Sequence, residues 1–201
     1  MHDGFVDLAQ AVPGIAVDAR YATPDNLTGR PLDGYHANRA LATREAARAL
    51  ADAFAAAQAL GLGMLVYDAY RPQKAVDCFV RWSSQPEDGL TREAYYPALE
   101  RTQLFPLGYI ARRSGHTRGS TIDLTLTDGQ GRPLDMGGTF DLMDDISHHG
   151  AAGLTHRQEQ NRALLCRLMT DAGFLPYENE WWHYRLKDEP YPDTYFDFDI
   201  D

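Results

Sequence analysis

In the stretch SGHTRGSTIDLTL, residues 114–126, His116 stands seven positions ahead of Asp123 with Gly119 between them. A neutral imidazole and an ionised carboxylate are common zinc donors, and a water-activating zinc needs three protein donors and one open position. Both residues can reach one ion if the chain turns at Gly119, which has no side chain to clash, and returns as a strand. A polar turn entering a strand, with Asp123 as a strand-end cap, fits the same letters. A second cluster lies far along the chain, where Glu180-Trp-Trp-His183 sets a carboxylate three residues before a histidine. It holds the third donor and the nearby acid that the first cluster lacks, although a histidine beside two aromatics also suits a packed core. Side chains three apart on an ideal strand face opposite ways, so Glu180 and His183 share a site only if a bulge or turn end re-aims one of them. Arg71, at the end of MLVYDAYR, is either a fixed cation aimed at developing oxyanion charge or half of a structural ion pair.

These side chains need a scaffold. The first 35 residues are turn-rich, with Pro, Gly, Asn and Asp in quick succession. From about Ala40 to Leu60 the apolar residues recur at three- and four-residue spacing before Gly61, which predicts a helix. MLVYDAY (64–70) reads as a short buried strand, and Pro72 opens a helix over PQKAVDCFVRWSSQ. A further helix is expected over 91–101. STIDLTL (120–126) alternates like a half-buried strand. Thr155 and Gln158 form a capping-box pattern for a helix that stops at Gly173. Residues 174–186 favour strands on either side of an Asn-Glu turn, and the acidic, aromatic tail has no assignment. Early and late helices around scattered short strands predict one α+β domain over 1–201, with a mostly antiparallel central sheet flanked by helices and the zinc site on that sheet.

Nineteen basic residues against 29 acidic ones give a net charge of −10, which speaks against nucleic acid or an anionic membrane as partner. Cys78 and Cys166 have neither the number nor the spacing of a cysteine zinc site and read as inert core thiols. The opening MHDGFVDLAQAVPG lacks the basic start and apolar run of a signal peptide, and no apolar run approaches the roughly 18 residues a membrane span needs. A cytoplasmic protein is expected.

The stretch around His116, Gly119 and Asp123 resembles the S-x-H-x-x-G-x-A-x-D signature of the D-alanyl-D-alanine dipeptidases, zinc peptidases of the vancomycin-resistance type in peptidase family M15. The resemblance extends to DARYATPDNLTGRPLDGY, YDAYRPQKAV, GGTFDLMDDISHHG and ENEWWHY, in the family's order, from about residue 18 to 186. One departure is visible: Thr121 stands where the signature has alanine. The resemblance implies one Zn²⁺ per chain held by His116, Asp123 and His183, with Glu180 as general base and Arg71 stabilising the transition state. It further places Tyr21, Ser114 and Asp141 in the pocket that fixes a dipeptide substrate, where a buried acid suits an ammonium group. Asp141 also suits a cap in a Gly- and Asp-rich loop. Adjacent His148 and His149 are read as loop residues rather than ligands, and His2, His36 and His156 fit neither half of the site.

The activity expected on this basis is zinc-dependent hydrolysis of D-Ala-D-Ala. The same chemistry also serves peptidoglycan D,D- or L,D-carboxypeptidases and endopeptidases, and a related scaffold can act as a non-catalytic zinc-containing binding module. A base beside the metal favours an enzyme, because a binding module has no use for one. Antibiotic resistance, wall turnover and D-alanine use would all employ this reaction, and the sequence sets neither that role nor the oligomeric state.

Overall fold

A computed structural model describes residues 2–201. Seven strands and five α-helices follow in the order β1 (Phe5–Asp7), α1 (Leu8–Ala11), β2 (Ala16–Val17), β3 (Leu41–Thr43), α2 (Arg44–Ala59), β4 (Gly63–Asp68), α3 (Gln73–Ser83), α4 (Arg92–Tyr95), β5 (Thr121–Thr127), α5 (His156–Asp171), β6 (Phe174–Tyr177) and β7 (Glu180–Leu186). The central sheet has strand order β2-β4-β5-β7-β6. β2 runs parallel to β4 and the other neighbours are antiparallel, so the sheet is mixed but mostly antiparallel, within an α+β fold. β1 and β3 form a separate antiparallel pair.

Local chemistry accounts for most element ends. Thr43 caps α2 by accepting from the Ala46 amide, so that helix starts at Arg44 and not near Ala40; residues 41–43 pair with β1 instead. Pro72 is the N-cap of α3. Thr155 and Gln158 form a capping box at the start of α5. The helix expected over 91–101 is only α4, because Pro97 drives Tyr96 out of helical geometry, to φ −150° and ψ 54°. The chain resumes as a single 3₁₀ turn at Arg101–Gln103.

β5 departs from the half-buried strand that its alternation predicts, since all seven of its residues are buried. It lies in the middle of the sheet with both faces covered, so its threonines are interior as well as Ile122, Leu124 and Leu126. α2 packs on β4 and α5, and α5 also packs on β5, β6 and β7. The tail forms no strand of the sheet. It runs across the molecule, with Phe198 stacked on Tyr70 at 4.2 Å and Ile200 bridged to Tyr35. The Phe196 amide donates to the Thr117 carbonyl at 3.0 Å, next to His116. Cys78 and Cys166 are free and half-buried rather than fully interior. Among the described residues no helix is long and apolar enough to cross a membrane.

Candidate metal centre

Two irregularities in the sheet build the site. Along β4 and β5 the pairing is regular up to Val66↔Leu124 and then slips by one residue, so that Asp68 lies opposite Asp123. Without the slip Asp68 would face the other side of the sheet. On the other flank Asp123 lies opposite His183. Asp68, Asp123 and His183 therefore form one row across three neighbouring strands. β7 carries the larger bulge: Pro176 pairs with Tyr184 but Tyr177 with Glu180, so residues 181–183 have no partner on β6. This is the re-aiming that Glu180 and His183 required, and it breaks the strand's alternation by burying both Trp181 and Trp182.

His116 comes from a 3₁₀ turn, Gly115–Arg118, ahead of β5. Ser114 caps the turn by accepting from the His116 amide at 3.2 Å. Gly119 ends it at φ 83°, and a Cβ there would sit 2.3 Å from Cε1 of Phe5, so glycine is needed both for conformation and for space. The Thr121 hydroxyl is buried and occupies the space above Gly115, where a Cβ would fall 2.9 Å from it. The departure at position 121 thus bears on residue 115 and leaves the three candidate ligands in place.

Nε2 of His116 and Nδ1 of His183 each lie 3.1 Å from an oxygen of Asp123 and 3.3 Å from one another. All three donor groups fall within 4.8 Å of each other. The His116 Nδ1 is 2.7 Å from the Ala69 carbonyl; donating there leaves Nε2 free to bind a cation. Both Asp123 oxygens are buried and each faces one imidazole, Oδ2 toward His116 and Oδ1 toward His183. Two imidazoles and one buried carboxylate with their donor atoms this close together fit zinc. Burial raises the Asp123 carboxyl, but the charge and hydrogen bonds of His116 and His183 outweigh that and hold it well below the usual range. Burial lowers His183, and Asp123 and Glu180 outweigh that in turn, pushing the imidazole up to about 10. The cluster attracts positive charge, and a metal ion must displace the His183 proton.

The other candidates surround this cluster. Glu180 Oε2 is 3.3 Å from His183 Nδ1, and the Glu180 side chain is partly exposed. Arg71 proves to be both an ion-pair partner and a cleft residue. It pairs with Asp68 at 2.9 Å, reaches to 3.7 Å from Asp123, and lies over the rings of Tyr21 and Phe79. The Tyr21 hydroxyl donates to Asp141 at 2.7 Å. Asp141 adopts φ 62°, in the left-handed region, and its burial pushes the carboxyl up to about 8. It is not a loop cap. Tyr21, Arg71, Ser114, His116, Asp123, Asp141, Glu180 and His183 all line one cleft of about 510 Å³. His148 lines it too, outside the ligand cluster, whereas His149 packs on Tyr184.

Sequence reasoning overlooked Asp68, which also accepts from the Tyr35 hydroxyl at 2.6 Å. An acid inside the apolar run MLVYDAY was the available signal, because a buried carboxylate requires partners. Tyr109 and Trp182, which line the cleft, carried no comparable signal.

The profile of the D-ala-D-ala dipeptidases, in the M15 peptidases, matches residues 1–201. The chain is 52% identical to a D-alanyl-D-alanine dipeptidase of Enterococcus faecalis over the full length of both proteins. It is 53% identical to one of Streptomyces coelicolor, over 98% of this chain and 96% of that protein. A third, from Enterococcus faecium, is 49% identical over the whole of both.

Proposed function

Since the chain belongs to the D-Ala-D-Ala dipeptidase family of M15 peptidases, we propose that it hydrolyses the free dipeptide D-Ala-D-Ala as a zinc enzyme. The observation that carries this reading is the convergence of His116, Asp123 and His183 within 4.8 Å inside a cleft that Glu180 also lines. Those three residues would hold one zinc, which when bound would supply Lewis-acid chemistry toward a carbonyl and a water. Glu180, beside the ligands but not needed to complete them, takes the proton of the attacking water and returns it to the leaving amine. Arg71 is fixed between Asp68 and the Tyr21 and Phe79 rings, so its charge is pre-aimed at the developing oxyanion without reorganisation. Asp141 and Tyr21 form the site for the substrate ammonium, since a buried carboxylate gains from a cation. Ser114 accepts the His116 amide and keeps its own hydroxyl hydrogen for the substrate carboxylate. A cytoplasmic place of action, where a free dipeptide is met, belongs to the same proposal and is read by cell fractionation.

The test is hydrolysis by the purified, zinc-loaded protein of a panel of L,L-, L,D- and D,D-dipeptides and of longer wall peptides, with and without a chelator. Cleavage of D,D-dipeptides that the chelator abolishes is expected. Preference for long wall peptides would replace the proposal with a carboxypeptidase or endopeptidase, and tight zinc binding without turnover would leave a binding module.

A further inference from the structure

Two arginines are fully interior, Arg101 at 1% exposure and Arg162 at 4%. Arg101 faces Glu87 and Asp88. Arg162, on α5, has no carboxylate partner among the described residues, and its buried Nη2 has no hydrogen-bond partner. Its other nitrogens all serve one irregular loop. Nε donates to the Met136 carbonyl at 2.5 Å, and Nη1 donates to the carbonyls of Ile146 at 2.8 Å and His148 at 3.0 Å. One guanidinium thus ties both feet of the loop 136–148 to α5. The apex of that loop carries Asp141, in its left-handed conformation, into the cleft.

We propose that Arg162 is a positioning residue for the substrate's ammonium group, acting by clamping the loop that presents Asp141. This rests on the reading of Asp141 given under Proposed function. A buried cation without a counter-charge costs stability, and an apolar side chain of similar volume would fill the space more cheaply. Burial lowers the guanidinium to about 10, partly offset by Tyr184 and the more distant Asp135, so it stays charged at neutral pH with no carboxylate in contact. What the apolar side chain would lack is the planar fork that satisfies three interior carbonyls from two distant points of one loop. A lysine ammonium has no such fork. The loop has other anchors, the Met143 amide donating to the Tyr95 carbonyl at 2.7 Å, the Tyr21 hydroxyl on Asp141 and Phe140 stacked on Tyr67, but none of these joins its two feet.

The experiment compares Arg162→Met and Arg162→Lys with the parent, all zinc-loaded. The first measurement needs no substrate: amide hydrogen exchange over residues 139–146 should rise about tenfold in both variants while β5 stays protected. The second is kinetic. KM for D-Ala-D-Ala should rise about tenfold or more in Arg162→Met and less in Arg162→Lys, with kcat within about threefold. N-propionyl-D-alanine, which lacks the ammonium, should be handled alike by parent and variants. Unchanged loop exchange in a folded variant overturns the proposal, as does an equal rise in KM for both compounds. Should Arg162→Met fail to fold, Arg162→Lys decides the matter. Should the parent itself not cleave D-Ala-D-Ala, the substrate reading fails, while the exchange data still decide the clamp.

Discussion

Glu180 touches the candidate metal cluster only at its edge, 3.3 Å from the His183 ring, so deleting its carboxylate removes none of the three donors. Glu180→Ala is therefore expected to keep one zinc per chain and to lose on the order of 100- to 10,000-fold in kcat. Metal content and turnover measured on the same sample check this, and turnover at the parent rate would strip Glu180 of the base role. Asp141 leads to a pH effect of unusual sign. Its folded-state carboxyl is pushed up to about 8 by burial, above its ordinary value of 3.8. The folded state then holds the proton more tightly than the unfolded chain, so this group favours folding most at low pH. That contribution declines as pH rises from about 4 to about 8. In zinc-free protein the thermal midpoint of Asp141→Asn should therefore gain on the parent between pH 5 and pH 8, and parallel pH profiles would refute the burial argument.

At the scale of elements, the site depends on interruptions of regular structure. The slip in β4 and the bulge in β7 each break a ladder and re-aim a side chain, and a 3₁₀ turn rather than a strand carries His116. Gly119 closes that turn against the ring of Phe5. Gly119→Ala combines a left-handed backbone with a contact of 2.3 Å and is expected to cost about 1–3 kcal/mol or more. For a chain of this length that lowers the thermal midpoint by roughly 2–12 °C. Because the turn sets His116 relative to Asp123, zinc retained after dialysis should fall as well. A variant with parental stability and full zinc would show that the turn tolerates a side chain.

Across the whole molecule, the candidate ligands come from a turn and two strands that are neighbours only in the folded sheet. An unfolded chain has no equivalent site, so zinc binding adds directly to stability, by ~2.7 kcal/mol when free zinc is a hundred times its dissociation constant. Chelation should lower the thermal midpoint, and added zinc should raise it in a concentration-dependent way. His116→Ala should respond much less than the parent. A midpoint indifferent to both chelator and zinc would remove the metal centre. The tail takes part at this scale too, since Phe196 hydrogen-bonds the turn that holds His116 and Phe198 covers Tyr70 beside Arg71.

Residue types and local signals determined much of this protein in advance. The capping box of α5, the Pro72 start of α3 and the candidate donors His116, Asp123 and His183 were legible because each depends on chemistry confined to a few neighbouring positions or carried by the side chain itself. The same locality explains the failures. Nothing within β5 says that both its faces are covered, and the pattern over 91–101 hid a helix break at Pro97. Arg162 gave no usable sign, because its partners are the carbonyls of the 136–148 loop, and Asp68, visible as an acid in an apolar run, gave no sign of its distant partner Tyr35. Only the tertiary structure decided the register that sets Asp68, Asp123 and His183 in one row, since a one-residue slip reverses a side chain's face and is fixed by packing across strands, not along them.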